Sequence, residues 1–149
     1  MTKNPLSPDF PLPSDGVKHL DEARKWSMFI SILGFIGIGF LLLAAIFMGA
    51  IFNFIDDDTL PKGIGIGISV MYLIFGAIYF FPIYYLFRFS QKSKQAVKDH
   101  NSDTLVEAIG NLKSHYKFLG IMSIVMMAVY PIFLIVFFLV GAFSITSFA

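Results

Sequence analysis

Three long runs of apolar residues, each without a charged side chain or a histidine, dominate the sequence. They cover residues 26–53, 64–87 and 118–149, and polar or charged segments separate them. An uncharged apolar run of about 18 residues or more is typical of a membrane-spanning helix. A helix of roughly 24 residues is about 36 Å long, which is enough to cross a hydrocarbon layer of about 30 Å. The pattern predicts an all-α membrane protein with three transmembrane helices, over about residues 26–52, 64–87 and 118–143.

Residues 1–25 precede the first span and are predicted to form a separate tail. Four prolines among the first thirteen residues favour an extended chain there. Ser14 then has the side chain of a helix cap, and a short helix is expected to lead from about Gly16 into the first span. Two opposite-charge pairs, each spaced four residues apart, support this helix: Lys18–Glu22 and Asp21–Lys25.

Residues 88–117 are predicted to form a helical hairpin between spans two and three, within one transmembrane domain of residues 26–149. The second span is expected to continue beyond the membrane and to break over residues 101–104. Thr104 and Glu107 resemble a capping box for the next helix. Apolar residues at helical spacing then lead into the third span: Leu105, Ile109, Leu112, Tyr116 and Leu119.

The distribution of positive charge predicts the orientation. Of the 11 Lys and Arg residues, four precede the first span, six lie in residues 88–117, and Lys62 alone lies between spans one and two. Positively charged connections stay in the cytoplasm, so the N-terminus and the hairpin are expected inside. The loop with Asp56–Asp58 and the C-terminus are then outside.

Contact with anionic lipid headgroups on the cytoplasmic side is also expected. Cations attract such headgroups, and an indole ring favours the same depth. The candidate residues are Lys25, Trp26, Arg88, Lys92, Lys94 and Lys117.

Small and hydroxyl-bearing residues form one stripe on each predicted span. Helices in a bilayer associate through such residues because they let two backbones approach closely. These stripes are the predicted faces for helix packing or for partner membrane proteins. Their members are Ser27, Ser31, Gly34, Ala45 and Gly49 on the first span, Gly65, Ser69, Tyr72, Gly76 and Tyr79 on the second, and Ser123, Tyr130 and Gly141 on the third.

The residues that carry chemistry are sparse. There is no cysteine, and no ionisable carboxylate, cation or histidine lies within a predicted span. The glycine-rich stretches GFIGIGF and GIGIGIS lack the lysine and hydroxyl residue of a nucleotide-binding loop. The three histidines have no metal-ligand spacing, and Asp56–Asp58 do not match a calcium loop. The sequence therefore predicts no catalytic residue, no cofactor, no metal and no nucleic-acid partner, so an enzyme is not expected.

Two segments resemble a known family. These are YFFPIYYLFRFSQKSKQAVK and LVEAIGNLKSHYKFLGIMSI, and the likeness extends over about residues 25–143. The family consists of small bacterial inner-membrane proteins with three spans and a domain of unknown function. The resemblance implies a bacterial inner membrane and the same topology, and it implies no site residues.

Two functions are compatible with these features. The first is a non-catalytic accessory or structural subunit of a larger inner-membrane complex. Such a subunit would bind other membrane proteins through the small-residue faces, the hairpin and the tail. The alternative is a homo-oligomeric channel or small carrier, for which the polar stripe of Ser69, Tyr72 and Tyr79 and the helix prolines Pro82 and Pro131 are the best support.

Overall fold

A computed structural model describes residues 12–54 and 63–147, except the side chains of Asn53 and of residues 140–147. The predicted extended tail and the Asp56–Asp58 loop lie outside the described residues. Three helices make up nearly all of the described chain: α1 (Ser14–Phe54), α2 (Ile64–Asp99) and α3 (Ser102–Ser147). By length and composition, each of them could cross a membrane. The prediction of an all-α protein with three long apolar helices is confirmed.

Helix α1 begins earlier than the sequence pattern suggests. The backbone carbonyl of Pro13 accepts a hydrogen bond from the amide of Val17 at 3.1 Å, so Ser14 already lies inside the helix. The prediction that Ser14 caps the helix was therefore wrong by one residue. The pre-membrane segment and the first apolar run form one continuous helix.

Helix α2 begins where the second apolar run begins. Gly63 precedes it with a φ of 87°, a left-handed conformation that glycine adopts without steric cost. The helix continues through Pro82 to Asp99, well beyond the apolar run. His100 then adopts a φ of 50°, which ends the helix and reverses the chain.

Asn101 caps helix α3. Its side-chain Oδ1 accepts a hydrogen bond from the backbone amide of Thr104 at 3.0 Å, as a helix cap does. The capping box predicted for Thr104 and Glu107 was wrong, because Thr104 already lies in the helix. Glu107 instead contacts Lys92 on α2, at 2.8 Å.

The chain divides into two compact units, Met1–His115 and Tyr116–Ala149. The first contains α1, α2 and the first turns of α3, and the second contains the rest of α3. Within the first unit α1 and α2 are antiparallel. Ala45 near the end of α1 contacts Ser69 near the start of α2, whereas Arg24 near the start of α1 contacts Ser90 far along α2.

Most buried apolar residues of the first unit are concentrated at one end, from the last residues of the second apolar run onward. We call Leu86, Phe89, Ala96, Leu105 and Ala108 the junction cluster; all five are buried, and they bring the later part of α2 onto the first turns of α3. Partly buried apolar residues pack around it: Leu12, Val17, Leu20 and Leu112. The junction cluster is therefore a small core of the kind found in water-soluble proteins.

The apolar runs themselves are largely exposed. Only 11% of the most apolar 18-residue window is buried in α1 and in α2, and none of that window is buried in α3. Water disfavours such surfaces, whereas lipid tails are as apolar as the side chains that they would contact. The three helices therefore suggest a multi-pass membrane protein.

Candidate functional site

The small-residue face of α1 lies against α2. Ser27, Ser31, Ala45 and Gly49 are buried, and Gly34 is half-buried. The Ser31 hydroxyl donates a hydrogen bond to the carbonyl of Ser27 at 2.7 Å, so this polar group is satisfied within its own helix. The five residues predicted for the first span thus share one contact surface.

Two glycines set the close approach of the helices. A Cβ atom on Gly49 would collide with the Ser69 hydroxyl, and one on Gly34 would lie 2.7 Å from the Ile83 side chain. Ser69 also donates a hydrogen bond to the backbone carbonyl of Ala45 at 2.7 Å. Small residues here allow backbone and side chain to meet directly, which is how helices associate in a bilayer.

On α2 the contact surface follows a seven-residue spacing. Gly76 and Ser90 are buried, and Ser69 and Ile83 are half-buried, all seven residues apart. This spacing is typical of two helices that pack along a shallow left-handed crossing. Of the other predicted residues on α2, Gly65 is buried, Tyr72 is half-buried and Tyr79 is 55% exposed.

The residues predicted for the third span lie in the second unit. Ser123 and Tyr130 are exposed, and the Ser123 hydroxyl donates to the carbonyl of Leu119 in the same helix at 2.9 Å. Gly141 lies in α3 among the residues whose surroundings the structure does not describe. Among the described residues, the predicted stripe of the third span is therefore exposed at Ser123 and at Tyr130.

Two hydrogen bonds hold the junction cluster together across its helices. The Ser90 hydroxyl donates to the backbone carbonyl of Arg24 on α1 at 2.8 Å. The Nδ1 atom of the His115 ring lies 2.7 Å from the backbone carbonyl of Pro82 on α2. Because a carbonyl can only accept, this nitrogen carries the proton. No local sequence pattern indicates either pair, since the partners are 66 and 33 residues apart.

Two carboxylates in the first unit each hold a pair of cations. Asp21 accepts from Lys25 and from Arg24, both at 2.6 Å, and these bonds lower the pKa of its carboxyl. Glu107 contacts Lys92 at 2.8 Å and Arg88 at 3.6 Å. The hydrogen bond from Lys92 is the main cause that lowers the pKa of Glu107.

The pairings around Asp21 differ in part from the sequence prediction. The predicted pair Asp21–Lys25 is present. Lys18, which was expected to pair with Glu22, instead contacts Asp15 at 3.2 Å.

The residues predicted to contact lipid headgroups have different surroundings. Trp26 is 67% exposed, and its ring lies nearly perpendicular to that of Phe29, with the ring centroids 6.1 Å apart. Arg88 lies over the ring of Tyr84 at 5.9 Å, a cation–π distance. Arg88 and Lys92 also pair with Glu107, and Lys25 pairs with Asp21. Lys94 and Lys117 are exposed.

One outward face of α2 is polar and basic, and we call it the basic shelf. It consists of Gln91, Lys94, Gln95 and Lys98, which are all exposed and recur at helical spacing. With Lys92 and Asp99 they line a shallow depression of about 370 Å³. The sequence prediction included Lys94 but missed the other three residues, although their spacing was a readable signal.

Net charge distinguishes the basic shelf from its neighbours. Residues 88–99 contain four cations and one carboxylate, whereas residues 14–25 and 102–117 each contain as many cations as carboxylates. Among these three segments, an excess of positive charge thus lies only on the last turns of α2. Such a surface attracts anionic groups.

Within the described residues, no group of three or more His, Asp or Glu side chains is placed to hold a metal ion. Comparison with known proteins gave no match to a family model, to a curated protein or to a solved structure.

Proposed function

We propose that this chain is a non-catalytic accessory or structural subunit of a larger complex in a bacterial inner membrane. Its N-terminus and the α2–α3 hairpin lie in the cytoplasm, and its C-terminus lies in the periplasm. The orientation rests on the distribution of Lys and Arg, and the bacterial inner membrane rests on the family resemblance of residues 25–143.

The observation that carries the proposal is the junction cluster. A packed core that begins at Leu86, at the end of the second apolar run, and continues beyond that run holds the last turns of α2 in place, and the basic shelf lies on their exposed face. A rigid surface with an excess of positive charge suits an acidic segment of a partner protein, because charge complementarity steers association and fixes orientation.

The polar contacts of the first unit agree with a structural role. Ser69 and Ser90 each donate to a backbone carbonyl of α1, and Glu107 holds cations of α2. These groups therefore connect α2 with α1 and with the first turns of α3. The channel hypothesis depended on the same polar stripe, and the Ser69 hydroxyl is already engaged in packing against Ala45.

Reporter fusions test the orientation. A reporter joined after Asp58 should be active only in the periplasm, and one joined after Asp99 only in the cytoplasm. The same compartment for both fusions would contradict the proposed topology.

Affinity purification at native expression, after gentle extraction, tests the role. We expect a stoichiometric partner with the unmodified chain and with a Lys113→Glu control, since Lys113 is exposed on α3 away from the basic shelf. The double variant Lys94→Glu, Lys98→Glu should lose that partner. Recovery of the chain without any stoichiometric partner would refute the accessory role. Equal recovery of a partner with all three forms would exclude the basic shelf as the surface that binds it.

A further inference from the structure

Pro131 interrupts the hydrogen-bond ladder of α3 inside its apolar run. Proline has no backbone N–H, so the carbonyl of Met127, four residues earlier, lacks the donor that a regular α-helix provides. Met127 is 80% exposed and Pro131 is also exposed. An unsatisfied carbonyl is strongly disfavoured in hydrocarbon, where no water can replace the missing donor. This turn therefore needs a donor from outside its own ladder.

The proline of α2 has a different environment. Pro82 is buried in the first unit, and the His115 ring donates to its carbonyl from another helix. This bond is not the one that the proline ring removes, since Pro82 deprives the carbonyl of Ile78 of its ladder donor. It shows that a side chain from another helix can donate to a backbone carbonyl of a proline turn in this chain. The turn at Pro131 lies on an exposed face.

Tyr130 offers a donor on that same face. Three residues from Met127 along the helix, it lies about 60° away around the axis, and it is 64% exposed. Its rigid phenol ring holds the hydroxyl away from its own backbone. Ser123, on the same side, already donates to the carbonyl of Leu119. Each α3 therefore exposes one donor and one acceptor side by side.

We propose that two copies of this chain pair through α3, with the Tyr130 hydroxyl of each copy donating to the Met127 carbonyl of the other. Copies inserted in the same direction place their α3 helices parallel. Tyr130 and Met127 then differ in depth by about 4.5 Å, and a helical side chain leans toward the N-terminus, which closes that gap. A two-fold axis makes both bonds at once. The pairing does not depend on the accessory role, since a pair of copies can also bind other proteins.

Disulfide cross-linking in native membranes tests the face. The chain has no cysteine, so a single introduced thiol reports only its own position. Met127→Cys should yield a cross-linked dimer under mild oxidation. Val129→Cys, at nearly the same depth and about 160° around the helix, is the matched control and should remain monomeric. Three outcomes would overturn the proposal. The two variants could cross-link equally, neither variant could cross-link, or Met127→Cys could cross-link only to a different protein.

The dissociation constant of the pair tests the hydrogen bond. It is measured with the purified full chain by energy transfer between labelled copies in lipid vesicles. Tyr130→Phe removes the donor and Pro131→Ala restores the N–H that satisfies Met127. Each should raise the dissociation constant by about 5- to 10-fold, the effect expected for two such bonds in a bilayer. Val129→Ala, which alters an exposed residue about 160° around α3 from Met127, should leave it unchanged. If Tyr130→Phe also leaves it unchanged, the hydrogen bond is refuted even where the helices pair.

Discussion

The ring of His115 on α3 donates a hydrogen bond to the backbone carbonyl of Pro82 on α2, at 2.7 Å. A carbonyl oxygen has two lone pairs, so it can accept this bond beside one from its own helix. This bond and the junction cluster fix the first turns of α3 against α2. The cross-helix contact thus extends from Ala96 and Leu105 down to the proline turn.

Removal of the ring should loosen this contact. We expect His115→Ala to lower the free energy of unfolding by about 0.5–1.5 kcal/mol, the usual net contribution of one hydrogen bond. Hydrogen exchange should become faster in the first turns of α3. Lys113→Ala, at an exposed position two residues away, is the control. Equal effects of the two substitutions would show that the His115 bond contributes nothing specific.

Two buried serines on α2 should respond oppositely to the same substitution. Ser90 donates to the Arg24 carbonyl, whereas the Ser93 hydroxyl, fully buried, has no hydrogen-bond partner among the described residues. Ser90→Ala should cost about 1 kcal/mol of unfolding free energy, and Ser93→Ala should be neutral or stabilising by about 1 kcal/mol, because it removes an unsatisfied buried group. Chemical unfolding in detergent measures both. A loss of stability for Ser93→Ala would show that its hydroxyl is satisfied after all.

The helices could be predicted from the sequence because apolar runs and charge placement act locally. The start of α2 at Ile64 coincides with the start of an uncharged run. The cap of α3 could not be predicted, since Asn101 and Thr104 compete with similar chemistry. In the structure Asn101 caps the helix, and Glu107, the other half of the expected capping box, pairs with Lys92 on another helix.

The packing faces of the helices could also be predicted only in part. A helical wheel placed Tyr79 on the packing stripe of α2, but its side chain is 55% exposed. The buried and half-buried positions recur every seven residues, as at Ser69, Gly76 and Ile83. A wheel for an isolated straight helix cannot include the crossing of a partner. The basic shelf was readable in principle, because the spacing of Gln91 and Lys98 needs no tertiary information.

The close approach of α1 and α2 should depend on Gly49. A methyl group there would collide with the Ser69 hydroxyl, which is itself held on the Ala45 carbonyl, so Gly49→Ala should destabilise the chain by about 1–3 kcal/mol. Gly37→Ala is the matched control, because nothing lies within 4 Å of a Cβ atom at that position. It should be neutral or stabilising by up to about 1 kcal/mol through helix propensity. If the two variants have the same free energy of unfolding, a helix contact that depends on Gly49 is excluded.

Stability should depend on pH through Glu107. The hydrogen bond from Lys92, aided by the charge of Arg88, holds the pKa of this carboxyl below its ordinary value of 4.5. A group whose pKa is lower when folded stabilises the folded state above the ordinary pKa, and this stabilisation is lost as the pH falls through the lower folded pKa.

Glu107→Gln should therefore reduce the thermal midpoint at neutral pH, and the difference from the unmodified chain should disappear between about pH 5 and pH 3. Glu22→Gln, at an exposed carboxylate of α1, is the control and should show a smaller difference. Midpoints recorded across this pH range at low salt measure the effect, because salt screens exposed ion pairs. A difference that persists unchanged at the lowest pH would mean that Glu107 acts through packing and not through its charge.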